Sequence, residues 1–360
     1  MPLQEFARKG AHVTDHVSEA SMRSVVYERF GEPSDVLKVR DTPDLQPPGP
    51  GEVLIRVNAR PAHPGDLAGV RGRYAGGQQL AEPATPGFEG MGTIEAVGPG
   101  LAAKADLAVG GRVAFFPAPG AWADQVVVPA QFVVPVPNAV PDGVASQLLV
   151  KPITAAMLLR AAEESGLRAG GGVLLHTAAG SGVGRLLTAL AMSRGYSSVS
   201  VVRSAAGAAA LRQEFDVPVV STEEGDWVAR VRAAVGERPV QVICDPIGGA
   251  MSGLLTDLLV DGGSLLAYGG LAEGESMALD AMTLTSRGLT VRGVTIGRWL
   301  AETPAAVREQ DIAEAVQLAL ERPELFGIAA QYDLAEVKDA VRYMERPGKA
   351  GTVLLTSSRA

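Results

Sequence analysis

The stretch Val173-Leu174-Leu175-His176-Thr177-Ala178-Ala179-Gly180-Ser181-Gly182-Val183-Gly184-Arg185-Leu186-Leu187-Thr188-Ala189-Leu190-Ala191 decides the fold. Its apolar start predicts a buried strand, the glycine cluster a tight turn, and the apolar spacing from Leu186 onward a helix. Strand, glycine turn and helix in that order suit a dinucleotide: missing Cβ atoms let the backbone approach a pyrophosphate, and the first helical amides supply its counter-charge. Ala179, Gly180, Ser181, Gly182, Val183 and Gly184 are therefore candidate cofactor ligands, with a plain turn as the alternative.

Working outward, strands alternate with helices from Gly172 to Arg292. The candidate strands are Val173 to Thr177, Val199 to Val202, Val219 to Ser221, Val240 to Cys244, Gly263 to Tyr268 and Leu289 to Val294. Six strands joined by crossover helices predict a parallel, doubly wound α/β sheet with its ligand crevice at the carboxyl ends. Roughly twenty residues past the loop, where an acid would accept from an NAD ribose, the second strand instead ends in Arg203-Ser204. A guanidinium accepts nothing, but it forks onto a 2′-phosphate and stacks on adenine, which points to NADPH. Asp245 follows the fourth strand, two strands too late to be the missing acid.

From Met22 to about Val136 the chain reads as short strands punctuated by Gly and Pro, such as the alternating Glu52 to Ala59, and predicts a β-rich barrel-like domain. Two helical stretches, Pro304 to Glu321 and Asp333 to Met344, precede a late strand, Gly351 to Leu355, expected to return to that first domain. The expected organisation is an extension over 1–21, a discontinuous catalytic domain over 22–148 and 297–360, and a cofactor domain over 149–296 between its parts.

The chain has 360 residues, 47% hydrophobic and 20% charged, with a net charge of −8. At ~150 residues per domain this predicts two or three domains with a sizeable core. The acidic balance, without a concentrated basic patch, disfavours nucleic acid as a partner. No run approaches the ~20 apolar residues of a membrane span, and residues 1–21 lack a signal-peptide core. The lone Cys244 can make no internal disulfide, so a reducing, cytoplasmic location is expected. His12 and His16 stand at i, i+4 spacing and read as solvated.

The order of parts resembles the medium-chain dehydrogenase/reductase superfamily over residues 22–356, which implies a GroES-like barrel beside a Rossmann domain. Residues His176 to Gly184 resemble the Ala-Ala-x-Ser-x-Val-Gly loop of mitochondrial-type 2-enoyl thioester reductases, one residue longer than the usual loop of the quinone oxidoreductases. Lys151-Pro152-Ile153-Thr154-Ala155 is similar to their Asn-Pro-Leu-Thr-Ala. Val201-Val202-Arg203 recurs in the same family, and Val291-Arg292-Gly293 with Arg298-Trp299-Leu300 resembles their Arg-Gly-Phe segment and following tryptophan. Two departures stand out: His63-Pro64-Gly65-Asp66 replaces Asn-Pro-x-Asp, and Lys151 replaces asparagine.

Zinc-dependent members take a ligand from Gly-His-Glu. Here the segment is Gly87-Phe88-Glu89 and the only thiolate lies in the cofactor domain, so no metal site is expected. A metal-free reductase would lack the usual stabiliser of alkoxide, which leaves reduction of an activated C=C bond. The resemblance implies Tyr74 as the acid that protonates Cα, with His63 as a competing donor or a simple cap. A phenol, with pKa ~10, keeps its proton at neutral pH. Arg71 and Arg73 are expected either to lower that pKa or to meet an acyl carrier's phosphates. Trp299 is expected as a wall of the acyl pocket or as core, with Phe88 at the same pocket. Gly269 and Gly270 would admit nicotinamide, and Lys349 would reach a cofactor phosphate.

Three functions follow: reduction of a 2-enoyl thioester on coenzyme A or a carrier protein, reduction of a quinone or enone, or non-catalytic NADPH sensing. A homodimer is expected, because relatives of this architecture pair through an edge strand.

Overall fold

The structure, a computed structural model, describes residues 21–101 and 107–357. His12, His16 and nearly all of the expected extension lie outside the described residues. The chain divides into two compact units, Met1–Val150 with Ile312–Ala360, and Lys151–Asp311.

In the first unit β1 (Ser21–Val26) pairs antiparallel with β2 (Lys38–Pro43). The larger sheet is built on β3 (Glu52–Pro61), whose alternation turns Val53, Ile55 and Val57 into a core with no solvent exposure. Each such side chain contributes about 1.5–3 kcal/mol of burial energy. β4 (Gly90–Val97) and β6 (Gln125–Pro129) flank β3 antiparallel, and β5 (Arg112–Phe115) leads from β4 to β7 (Val133–Pro135). The last strand of the chain pairs antiparallel with β3, as expected.

The second unit carries β8 (Val173–His176), β9 (Ser197–Val202), β10 (Val219–Ser221), β11 (Val240–Asp245), β12 (Leu259–Ala267) and β13 (Thr290–Gly293). All neighbours run parallel in the order β10-β9-β8-β11-β12-β13. The order reverses between β8 and β11, the switch point where such sheets bind ligands beyond their carboxyl ends. Val173, Leu175, Val199, Val201, Ile243 and Leu265 form its core under flanking helices.

The chain leaves this unit later than the expected residue 297. Asp311 accepts hydrogen bonds from both Trp299 Nε1, at 2.7 Å, and Arg160 of the helix Val150–Glu164, which ties residues 297–311 to that helix of the second unit. Back in the first unit, β14 (Ile328–Asp333), unread in the sequence, runs parallel to β15 (Thr352–Thr356). The stretch from Asp333 to Met344 is a 3₁₀ turn, Leu334–Glu336, followed by an α-helix, Val337–Met344. Its Val337, Ala340, Val341 and Met344 share one face and pack on Leu37, Val353 and Leu355. Among the described residues no helix is long and apolar enough to cross a membrane.

Candidate active site

The loop after β8 is held by its own backbone. Ala178 takes φ +48°, Ser181 N–H donates to Ala178 O at 2.9 Å, and Ser181 Oγ caps the helix Gly182–Ser193 by accepting from Gly184 N–H at 3.1 Å. Gly184 is sterically required: a Cβ there would stand 2.6 Å from Ala178 O and from Ala179 Cα. Ala179 is fully buried and its N–H is spent on Val201 O, so of the predicted loop ligands it offers the least to a cofactor. The N–H groups of Gly182 and Val183 find no acceptor among the described residues. These are the free amides that open a helix, and they fit a pyrophosphate.

In the sequence Lys151 stands out only as a departure from asparagine. A Cβ on Gly182 would come within 3.4 Å of Lys151 Nζ, so this cation lies against the loop. The sequence signal was the lysine itself, 31 positions upstream of the glycine it meets.

Below the loop, His176 is fully buried, with Nε2 3.1 Å from Thr188 Oγ1 and 3.0 Å from Ser200 Oγ; burial drives its pKa down to about 4. At neutral pH it is uncharged and structural.

Arg203, at the end of β9, is exposed, and its guanidinium has no partner among the described residues. Ser204 Oγ accepts from Gly207 N–H at 3.0 Å and caps the helix Ala205–Glu214. Asp245 is buried and bonded to Thr177 and to the amides of Ile247 and Gly248, which removes it as a ribose acceptor. Gly269 is required by Pro246, whose carbonyl oxygen would lie 2.8 Å from a Cβ, while Gly270 faces open space.

Trp299 belongs to the core and also borders a cavity. It is 4% exposed, and its indole lines a cavity of about 320 Å³ with Met157, Arg160, Val294, Thr295 and Val307.

The first unit holds the proton-bearing groups. His63 precedes the helix Pro64–Val70, and its N–H donates to Asp66 Oδ2 at 2.8 Å. Its Nε2 lies 2.7 Å from Glu89 Oε2. Glu89 is 1% exposed, and its other oxygen accepts from the N–H groups of both Leu149 and Val150 at 2.7 Å, where the helix Val150–Glu164 begins. Phe88 is half-buried and carries no ligand atom. Burial raises the Asp66 carboxyl to about 6.

Tyr74 is 63% exposed, and its hydroxyl would be 3.7 Å from a Cβ on Gly65. Desolvation first, then the Asp66 carboxylate, raise its pKa above 10, and Arg73 only partly opposes them. The expected lowering by arginine is thus corrected. Arg71 is committed to Glu32 and Glu345 instead. Lys349 belongs to this unit, half-buried, with its ammonium pushed down by desolvation. Among the described residues no three metal-capable side chains converge.

A barrel-like unit interrupted by a dinucleotide-type sheet defines a two-domain oxidoreductase architecture. The alcohol dehydrogenase GroES-like domain family matches residues 49–138, and the zinc-binding dehydrogenase family matches residues 182–319. The chain belongs to the medium-chain dehydrogenase/reductase superfamily. It is 34% identical over 269 residues to the rat synaptic vesicle membrane protein VAT-1 homolog, aligned over 73% of this chain and 64% of that protein, so the chain spans less than two thirds of that relative. It is 28% identical to the mitochondrial enoyl-[acyl-carrier-protein] reductase of Xenopus tropicalis, over 81% of this chain and 82% of that one. A Bacillus thuringiensis structure assigned as an NADPH:quinone reductase superposes with TM-score 0.83 and 27% identity, covering 94% of this chain and all of that one.

Proposed function

We propose that the chain is an NADPH-dependent, metal-independent reductase of an activated C=C bond, and that its substrate is a 2-enoyl thioester. The observation that carries the cofactor is the unpartnered Arg203 guanidinium at the end of β9, next to a glycine loop with free amides. Gly180, Gly182 and Val183 would hold the pyrophosphate, with Lys151 neutralising it, and Arg203 would hold the 2′-phosphate. The bound dinucleotide supplies a hydride for the β-carbon.

The protein's own part is to deliver the proton and exclude the alternatives. Tyr74 Oη keeps its proton at neutral pH and is exposed enough to reach a substrate, so it donates to the α-carbon. The His63 imidazole, backed by Glu89, is the second donor in reach of the same helix start. Metal independence rests on the residues present: Phe88 has no ligand atom, Glu89 is spent on two amides and an imidazole, and the Cys244 thiol is fully buried with its pKa raised. A lone cysteine in the reduced state suits a cytoplasmic setting.

The thioester reading is supported by the likeness to the Xenopus enoyl reductase and by the loop sequence. The likeness to the Bacillus thuringiensis structure favours a second reading, a quinone or enone acceptor, at nearly equal identity. Following NADPH absorbance with crotonyl and longer enoyl thioesters beside a quinone panel separates them. Thioester turnover supports the proposal; quinone turnover without thioester turnover at any chain length overturns it.

A further inference from the structure

The helix that follows β9 begins against a carboxylate carried in from the end of β10. Ser221, the last residue of β10, and the two residues after it fasten onto one carbonyl: Ser221 Oγ donates to Arg203 O at 3.0 Å, Thr222 Oγ1 at 3.3 Å and Glu223 N–H at 3.0 Å. That zipper carries the Glu223 side chain to the start of the helix Ala205–Glu214, where Glu223 Oε2 accepts from Ala205 N–H at 3.3 Å. The carboxylate therefore occupies an amide at a helix start that would otherwise be open to an anion. Arg203, two residues before Ala205 in sequence, makes no ion pair with the Glu223 carboxylate and has no side-chain partner among the described residues.

We propose that Glu223 is a specificity-determining residue at the adenosine end: with Arg203 it makes the site read both ribose forms, the arginine favouring a 2′-phosphate and the carboxylate accepting from a 2′-hydroxyl. This rests on the dinucleotide reading given above. A 2′-phosphate entering beside Arg203 meets the Glu223 charge and must displace it from Ala205 N–H. A 2′-hydroxyl meets an acceptor already in place. The chain consequently binds NADH as well as NADPH, with a preference smaller than Arg203 alone would impose.

Titration calorimetry of the full chain with NADPH and with NADH, for the native protein and for Glu223→Gln, tests this without any turnover. Glutamine keeps the size and the hydrogen-bonding oxygen and removes the charge. The expected result is tighter NADPH and weaker NADH, a change in their affinity ratio of about fivefold, the scale of a screened repulsion between neighbouring charges. The gain for NADPH shrinks in high salt. An unchanged ratio, or equal shifts for both nucleotides, overturns the role of Glu223 and leaves the NADPH reading standing. Failure of the native protein to bind either nucleotide overturns both.

Discussion

Replacing Glu89 separates a structural carboxylate from a metal-site relic. The side chain is 1% exposed and takes three hydrogen bonds, all at 2.7 Å, from Leu149 N–H, Val150 N–H and the His63 imidazole. Glu89→Ala strands two amides in a buried setting and leaves His63, whose side chain is 14% exposed, to be rehydrated. Hydrogen bonds to a charged acceptor contribute about 1.5–3 kcal/mol each, and loss of the bonds to the buried Leu149 amide and the part-buried Val150 amide sets a cost of about 3–6 kcal/mol. Glu89→Gln keeps one oxygen for both amides and presents an amide nitrogen to the imidazole, which can change tautomer, so it costs about 1–2 kcal/mol. Urea unfolding at neutral pH, followed by tryptophan fluorescence in a Trp227→Phe, Trp299→Phe background that leaves Trp122, fully buried in the same unit, as the reporter, reads both values as midpoint shifts at constant slope. A chelator should leave every midpoint unchanged. An alanine variant within 1 kcal/mol of the native protein, or a glutamine variant as damaged as alanine, would refute this assignment.

Arg203→Ala should weaken NADPH by ~1–3 kcal/mol with little effect on NADH or on stability, because its guanidinium makes no bond within the protein; equal losses for both nucleotides in a binding titration would sink the 2′-phosphate role. Gly184→Ala should abolish nucleotide binding, since its methyl collides with loop backbone at 2.6 Å, and retained affinity would show the loop is not the site. Tyr74→Phe should lower kcat while leaving nucleotide affinity unchanged, and an unchanged rate would transfer the proton to His63. Asp66 titrates near 6 when folded against an ordinary 3.8, so the native state binds the extra proton in between. Stability from this group therefore falls as pH rises from about 4 to 6, and the full penalty, up to about 3 kcal/mol, is present above that window. Asp66→Asn should remove the slope in urea midpoints measured across it; parallel curves for the two proteins would contradict the shift.

The nucleotide sheet was legible because its central strands, β8 and β11, are short, largely apolar and buried runs bounded by turn residues, the pattern a parallel sheet covered on both faces writes. β14 was not legible: Ile328-Ala329-Ala330-Gln331-Tyr332-Asp333 neither alternates nor concentrates β-branched residues, and it becomes a strand only through its parallel pairing with β15. The late chain crossing escaped for a similar reason, since the contact of Trp299 with Asp311 depends on side chains twelve positions apart meeting across a turn.

In the candidate site, the glycine loop and Arg203 could be read because local spacing defines them. Glu89 could be named but not understood, because its two amide partners lie 60 and 61 residues downstream. Glu223 is not legible in the sequence, since it lies 20 residues past Arg203 and only the pairing of β10 with β9 brings it to the start of the helix Ala205–Glu214.

Chelator-treated protein, titrated with NADPH by calorimetry and then mixed with an enoyl thioester, tests the central claim most directly. Saturable binding of the reduced nucleotide followed by its oxidation, with no metal restored, is the predicted result. An absence of binding, or turnover that returns only when a divalent ion is added, would contradict it.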